Sequence, residues 1–124
     1  MASPFRESIE KLLDKIEGGV ACLIMGFDGI TLESTARTVG GVAPPDIQTL
    51  AMEFAHTIAQ ARRTLTSVDA GLLEEFTLRT DKLTLVVRPL TVEYFLACAI
   101  LPAASLGQTR YLMRLTAPAL RADL

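Results

Sequence analysis

Apolar residues near the N-terminus recur at helical spacing. Phe5, Ile9, Leu12, Leu13 and Ile16 form one stripe, opposed by Arg6, Glu7, Glu10, Lys11, Asp14 and Lys15. That pattern predicts an amphipathic helix over residues 4–17, with Ser3 as N-cap and Pro4 at its first position. Gly18 and Gly19 end it, and Val20 to Met25 is a near-continuous apolar run, the signature of a strand covered on both faces. Phe27-Asp28-Gly29-Ile30 then places Asp-Gly between two strand-like runs, which predicts a tight hairpin with a two-residue turn and a returning strand over residues 30–35. Residues 36–45 lose periodicity and form a surface connection. Ile47, Leu50, Ala51, Phe54, Ile58, Ala61 and Leu65 restore a 3.6-residue period and predict the longest helix, with Met52, Ala55 and Ala59 on one flank of the stripe. Asp69-Ala70-Gly71 breaks the chain before a third strand, in which Leu72, Phe76 and Leu78 alternate with polar residues and Glu74 intrudes on the apolar side. A turn at Thr80-Asp81-Lys82 leads into a fourth strand over residues 83–88, and Tyr94 to Leu101 is a fifth, apolar enough to be central. A last helix starts near Ser105 or Leu106 and is bent or stopped by Pro118.

The order is helix, two strands, helix, three strands, helix, joined by hairpins that make most pairings antiparallel: one α+β domain spanning residues 1–124. With 50% hydrophobic and 21% charged residues the chain has enough apolar surface for one sizeable core. Twelve basic against 14 acidic side chains, a net charge of −2, give no electrostatic footprint for nucleic acid. The N-terminus lacks the apolar stretch of a secretory signal, and the run from Tyr94 falls well short of the ~20 residues that span a bilayer. The expectation is a cytoplasmic chain without membrane insertion, its two cysteines, Cys22 and Cys98, reduced and buried.

Catalytic chemistry is hard to place. His56, the single histidine, falls opposite the apolar stripe of the long helix and faces solvent or a partner. One histidine and two distant cysteines match no zinc spacing, and the glycine pairs at 18–19 and 40–41 do not spell a phosphate loop, so no metal and no cofactor are expected. Glu74-Glu75 point to opposite faces of a strand, and Asp14 and Glu17 lie on a charged helix face, so neither makes an acid/base pair. Arg62-Arg63 near a helix C-terminus suit the macrodipole better than an extended arginine finger. The alanines flanking the long helix either admit a second helix closely or serve only as good helix formers. Phe27-Asp28-Gly29-Ile30 stands out, because an aromatic and a β-branched residue bracket an ordinarily polar turn. Either both fold back onto the core or they are offered to a partner.

The element order, the Gly-Val spaced to Asp-Gly over residues 19–29, the long second helix and Ser105-Leu106-Gly107 together resemble the roadblock family. These are the dynein light-chain relatives, with a bacterial mutual-gliding MglB/MglC branch, and the resemblance leans towards MglC. It covers about residues 5–120. The resemblance implies a five-stranded antiparallel sheet with one long helix on one face and two helices on the other. It also implies a homodimer that pairs third strands edge to edge and packs the long helices together. In this chain those positions are Met52, Ala55 and Ala59 on the helix and Leu72, Glu74, Phe76 and Leu78 on the strand. Family members act as scaffolds or regulators of Ras-like small GTPases. MglB-like members stimulate GTP hydrolysis without supplying an arginine finger, and this sequence ends at Leu124 without the tail that braces a GTPase.

The resulting expectation is a non-enzymatic homodimeric adaptor in a Ras-like GTPase polarity module of gliding motility. It binds an MglB-like paralogous roadblock protein, another polarity component or the Ras-like GTPase complex, with Phe27, Asp28, Gly29 and Ile30 as one contact. The alternative is a co-regulator acting directly on the GTPase. A small-molecule sensor of the profilin or PAS kind is a third reading, against which the densely apolar strands leave no evident polar group to orient a ligand.

Overall fold

A computed structural model describes residues 3–124. The elements follow the order α1 (Arg6–Lys15), β1 (Gly19–Gly26), β2 (Thr31–Ala36), α2 (Ile47–Ser67), β3 (Phe76–Arg79), β4 (Thr84–Pro89), β5 (Tyr94–Ile100) and α3 (Leu106–Ala122). The strands form one sheet in the order β2-β1-β5-β4-β3, and every neighbouring pair is antiparallel.

Alternation along the strands divides the interior in two. Cys22 and Ile24 of β1, Val86 of β4, and Leu96, Cys98 and Ile100 of β5 face α1 and α3, meeting Ile9, Leu12, Leu13, Met113 and Leu120. Ala21, Leu23 and Met25, with Leu85, Val87, Phe95, Ala97 and Ala99, face α2. One helix on one side and two on the other is the arrangement the resemblance implies. Both faces of β1 and β5 are buried almost throughout, which is why these strands read as apolar runs and not as alternations.

Cys22 and Cys98 are direct cross-strand partners in the β1–β5 register, with their Sγ atoms 3.1 Å apart and buried. The thiol contact with Cys22, and then burial, push the Cys98 thiol well above its ordinary pKa, so it holds its proton.

Four local expectations are corrected. Ser3 does not cap α1: its hydroxyl donates to Glu33 Oε2 (2.6 Å), and Phe5 occupies the N-cap position without a side-chain cap. Arg6 Nη1 adds bonds to Glu33 Oε1 (2.7 Å) and to the Ser34 carbonyl (2.8 Å), so the start of α1 is pinned to β2. The Ser3 hydroxyl first, together with Arg6, holds the Glu33 carboxyl below its usual pKa. Pro118 does not stop α3, which runs on to Ala122. The proline lies on the exposed face and removes only the N–H that the Arg114 carbonyl would otherwise accept from.

The third strand begins at Phe76, not Leu72. Extending the Phe76↔Val87 register sets Glu74 opposite Pro89, which has no N–H to offer the ladder. Leu72 is 91% exposed and Glu74 is exposed, while Leu73 turns inward against the α2 side. Finally, Ala55 does not flank a second helix. It is 1% exposed and sits with Ala51 against Ala21, Ala97 and Ala99, so these small residues let α2 approach its own sheet.

The buried thiols make a direct prediction. In native protein neither cysteine should react with an aromatic disulfide reagent over minutes at neutral pH, and unfolding in guanidinium should release two equivalents. Titration of thiols with and without denaturant checks this.

Candidate functional site

The β1–β2 connection is a four-residue tip over residues 27–30 and not a two-residue turn. The Gly29 N–H donates to the Gly26 carbonyl (2.9 Å), and the Gly26 N–H donates to the Ile30 carbonyl (2.9 Å). Only Gly29 in this stretch takes a positive φ (+88°), the pattern of a turn followed by a left-handed residue and not the doubly left-handed turn that Asp-Gly favours. At Gly26 a Cβ would run into Asp28 Oδ1, which would have to move aside. That oxygen accepts from the Ile30 N–H (3.0 Å), closing the tip with an Asx turn.

Phe27 and Ile30, alike in the sequence pattern, part company here. Phe27 folds back, half-buried, with its ring 5.0 Å from that of the fully buried Phe95 at a tilted angle. The Arg62 guanidinium of α2 covers the ring at 4.3 Å, and Arg62 Nη1 donates to the Val92 carbonyl (3.1 Å) in the β4–β5 turn. The Phe27 N–H donates to the neighbouring Glu93 carbonyl (2.9 Å). Ile30, by contrast, is 64% exposed. Neither alternative covers both residues: the aromatic folds back onto the core and the isoleucine is left exposed.

Met52 of α2 lies against the tip, since a Cβ on Gly29 would stand 3.2 Å from its Cγ. Met52 is itself exposed, so Ile30 and Met52 belong to one apolar patch at the N-terminal half of α2. On the other side of Phe27 a hollow of about 460 Å³ is bounded by Arg62, Arg63 and the exposed Val92. Arg62 and Val92 are site residues that the sequence reading does not assign. Nothing in the local pattern pairs position 62 with position 27, and their contact follows only from the sheet order that places β5 beside β1.

The remaining positions lie apart from the tip. Ala59 is half-buried on the flank of α2 and borders the hollow beside Phe27. Phe76 and Leu78 are half-buried on the α2 side of β3, with the Phe76 ring 6.2 Å from Phe54. β3 is an edge strand, as is β2, but on β2 Arg6 already occupies the Ser34 carbonyl. The outer face of β3 is tied to α3: Arg110 Nε donates to Glu75 Oε1 (2.8 Å) and the Thr77 hydroxyl to Glu75 Oε2 (2.7 Å). Burial raises the Glu75 carboxyl, but the bonds from Arg110 and Thr77 and the charges of Arg110 and Arg88 outweigh it, leaving its pKa below the usual value.

His56 is exposed on α2 as its spacing requires. Among the described residues no three His, Cys, Asp or Glu side chains gather as metal ligands, and no helix is long and apolar enough to cross a membrane. What the geometry brings together at the tip is an anchored aromatic, a guanidinium and exposed apolar side chains.

The tip's two roles separate by stability. Phe27→Ala should lower unfolding free energy by about 2 kcal/mol, because it removes a half-buried ring with aromatic and guanidinium partners. Ile30→Ala should change it by less than about 0.5 kcal/mol. Urea unfolding curves distinguish the two.

No family model and no curated protein sequence matches the chain. Solved structures do. The crystal structure of MglC from Myxococcus xanthus is 31% identical over 98% of this chain and 99% of that one, with a TM-score of 0.69. Two more distant structures share the fold: the gliding protein MglB from Thermus thermophilus and a roadblock/LC7 domain from Streptomyces avermitilis. The first is 18% identical over 99% of this chain and 92% of that one, with a TM-score of 0.82. The second is 16% identical over 91% of each chain, with a TM-score of 0.77. With the sheet order, the split of helices between its faces and the MglC likeness over nearly its full length, the chain belongs to the roadblock family, in its MglB/MglC-like branch.

Proposed function

We propose that this protein is a non-enzymatic adaptor that works as a homodimer in a Ras-like GTPase polarity module of gliding motility, and that its β1–β2 tip binds a paralogous, MglB-like roadblock protein. The observation that carries this reading is the division of labour in the tip. Phe27 is locked between Phe95 and Arg62, Asp28 closes the turn, and Ile30 is left 64% exposed beside Met52. A rigid turn presenting one β-branched side chain next to a methionine lowers the ordering cost of association, which is what a protein contact needs and a solvated loop does not.

The same reading assigns the homodimer to the open edge of β3 and the outward flank of α2. Phe76 and Leu78 are only half-buried in the single chain, and a second strand added at that edge would cover them as well as the free backbone groups. Met52 and Ala59 contribute from the helix, whereas Ala55 is already spent on the sheet. The alternative, direct action on the GTPase, gains nothing from Arg62. Its guanidinium is held on Phe27 and on the Val92 carbonyl, as a fixed charge in a cleft wall and not as a finger reaching out from the surface.

Ile30→Asp is the informative change, because it puts a charge into the proposed contact without touching the fold's interior. Binding to the MglB-like protein of the same organism should weaken at least about tenfold by calorimetry, with the variant still sedimenting as a dimer and keeping the wild-type Tm. Undiminished binding by a folded Ile30→Asp protein would sink the tip as the contact.

A further inference from the structure

Away from the tip, three arginines from three elements line one cleft of about 340 Å³: Arg62 of α2, Arg88 of β4 and Arg121 of α3. Glu74 is the one acidic residue in its lining, so the cleft carries an excess of positive charge on a chain whose net charge is −2. None of the three arginines has a carboxylate within 4.0 Å among the described residues, where ion pairs involve Arg6, Lys11, Arg37 and Arg110 instead. Two are nevertheless fixed in place through neutral acceptors. Arg62 Nη1 donates to the Val92 carbonyl (3.1 Å), and Arg121 Nε donates to the Leu90 carbonyl (2.8 Å). In the third, one donor lacks a partner: Arg88 Nε is shut off from solvent and has no hydrogen-bond acceptor. A buried donor of a charged group left without a partner is costly, and the fold itself supplies no acceptor for it.

The chemistry of an occupant follows from these charges and from the walls. Guanidinium groups held by their own hydrogen bonds are ready for carboxylate or phosphate, so an anion is called for. Leu72 at 91% exposure and Val92 at 81% also line the cleft. A small free anion would leave both uncovered, whereas a polypeptide carrying acidic and apolar side chains in alternation covers them while its carboxylates meet the arginines. The irregular stretch over residues 72–74, which precedes β3, forms one wall and leaves room for an extended segment there.

We propose that Arg62, Arg88 and Arg121 form a docking cleft for an extended acidic segment of a protein partner, with Leu72 and Val92 receiving its apolar side chains. This surface is distinct from Ile30 and Met52, and it stands whether or not the tip binds a roadblock paralogue.

The test is a titration of the full-length, isotope-labelled protein followed at the arginine Nε–H resonances. The probes are a short peptide alternating glutamate and leucine, the same peptide with lysine for glutamate, and inorganic phosphate. The acidic peptide should shift the Arg88 Nε–H signal saturably, and the lysine peptide should leave it in place. Arg121→Gln, an exposed position that keeps the fold, should weaken that binding roughly tenfold. Arg88→Gln should do the same, and Ile30→Asp should leave it unchanged. Three results would each overturn the proposal: no shift with the acidic peptide, an equal shift with phosphate alone, which would make the cleft a small-anion site, or undiminished peptide binding by folded Arg121→Gln.

Discussion

β1 and β5 run side by side with almost no face towards water, and their pairing from Gly19↔Ile100 to Gly26↔Tyr94 is the constraint on which the other elements depend. Because every residue on both strands is apolar or small, each face must be covered, and the three helices divide that task. Ala21, Ala97 and Ala99 share the α2-side cluster with Ala51 and Ala55, while the cysteine pair, Ile24, Leu96 and Ile100 share the other with the larger α1 and α3 side chains. A bulkier residue at any of these alanines would lift α2 from the sheet, and Arg62 would move with it.

That dependence reaches the surface. Phe95 is the largest fully buried side chain and belongs to β5, yet its ring is also the seat for Phe27 at the tip of the neighbouring hairpin. Arg62 closes the stack from α2 and hooks the β4–β5 turn through the Val92 carbonyl. Three separate pieces of chain thereby hold the tip in one orientation, and what remains free is a single isoleucine beside a methionine. Arg62 also borders the arginine cleft, so one side chain joins the anchored tip to the positively charged surface.

Much of this was legible in the sequence. Period and run length locate all eight elements, because a strand buried on both sides and a helix buried on one leave different marks. The start of α3 near Ser105 was readable too, and the structure adds that the Ser105 hydroxyl oxygen accepts from the Gln108 N–H at 3.1 Å. The errors share a physical origin in contacts between distant residues. Ser3 looks like a cap until Glu33, thirty positions on, takes its hydroxyl. Leu72 fits the period of β3, but pairing depends on the opposite strand, where Pro89 offers no donor. Ala55 lies only a small rotation from the expected flank, and the angle at which α2 sits on the sheet decides which side of the helix an alanine serves. The different fates of Phe27 and Ile30 require Phe95 and Arg62, which no local window around the Asp-Gly turn contains.

In the proposed role, the tip is a preformed contact in which Phe27 faces inward as the anchor and Ile30 faces outward. Backbone amide mapping of the labelled protein, titrated with its MglB-like paralogue, tests that most directly. The expected result is perturbed amides at residues 27–30 and around Met52 and Val92, with chemical shifts of the β1–β5 centre unchanged. Perturbations confined to the α1 and α3 face, with the tip silent, would contradict it.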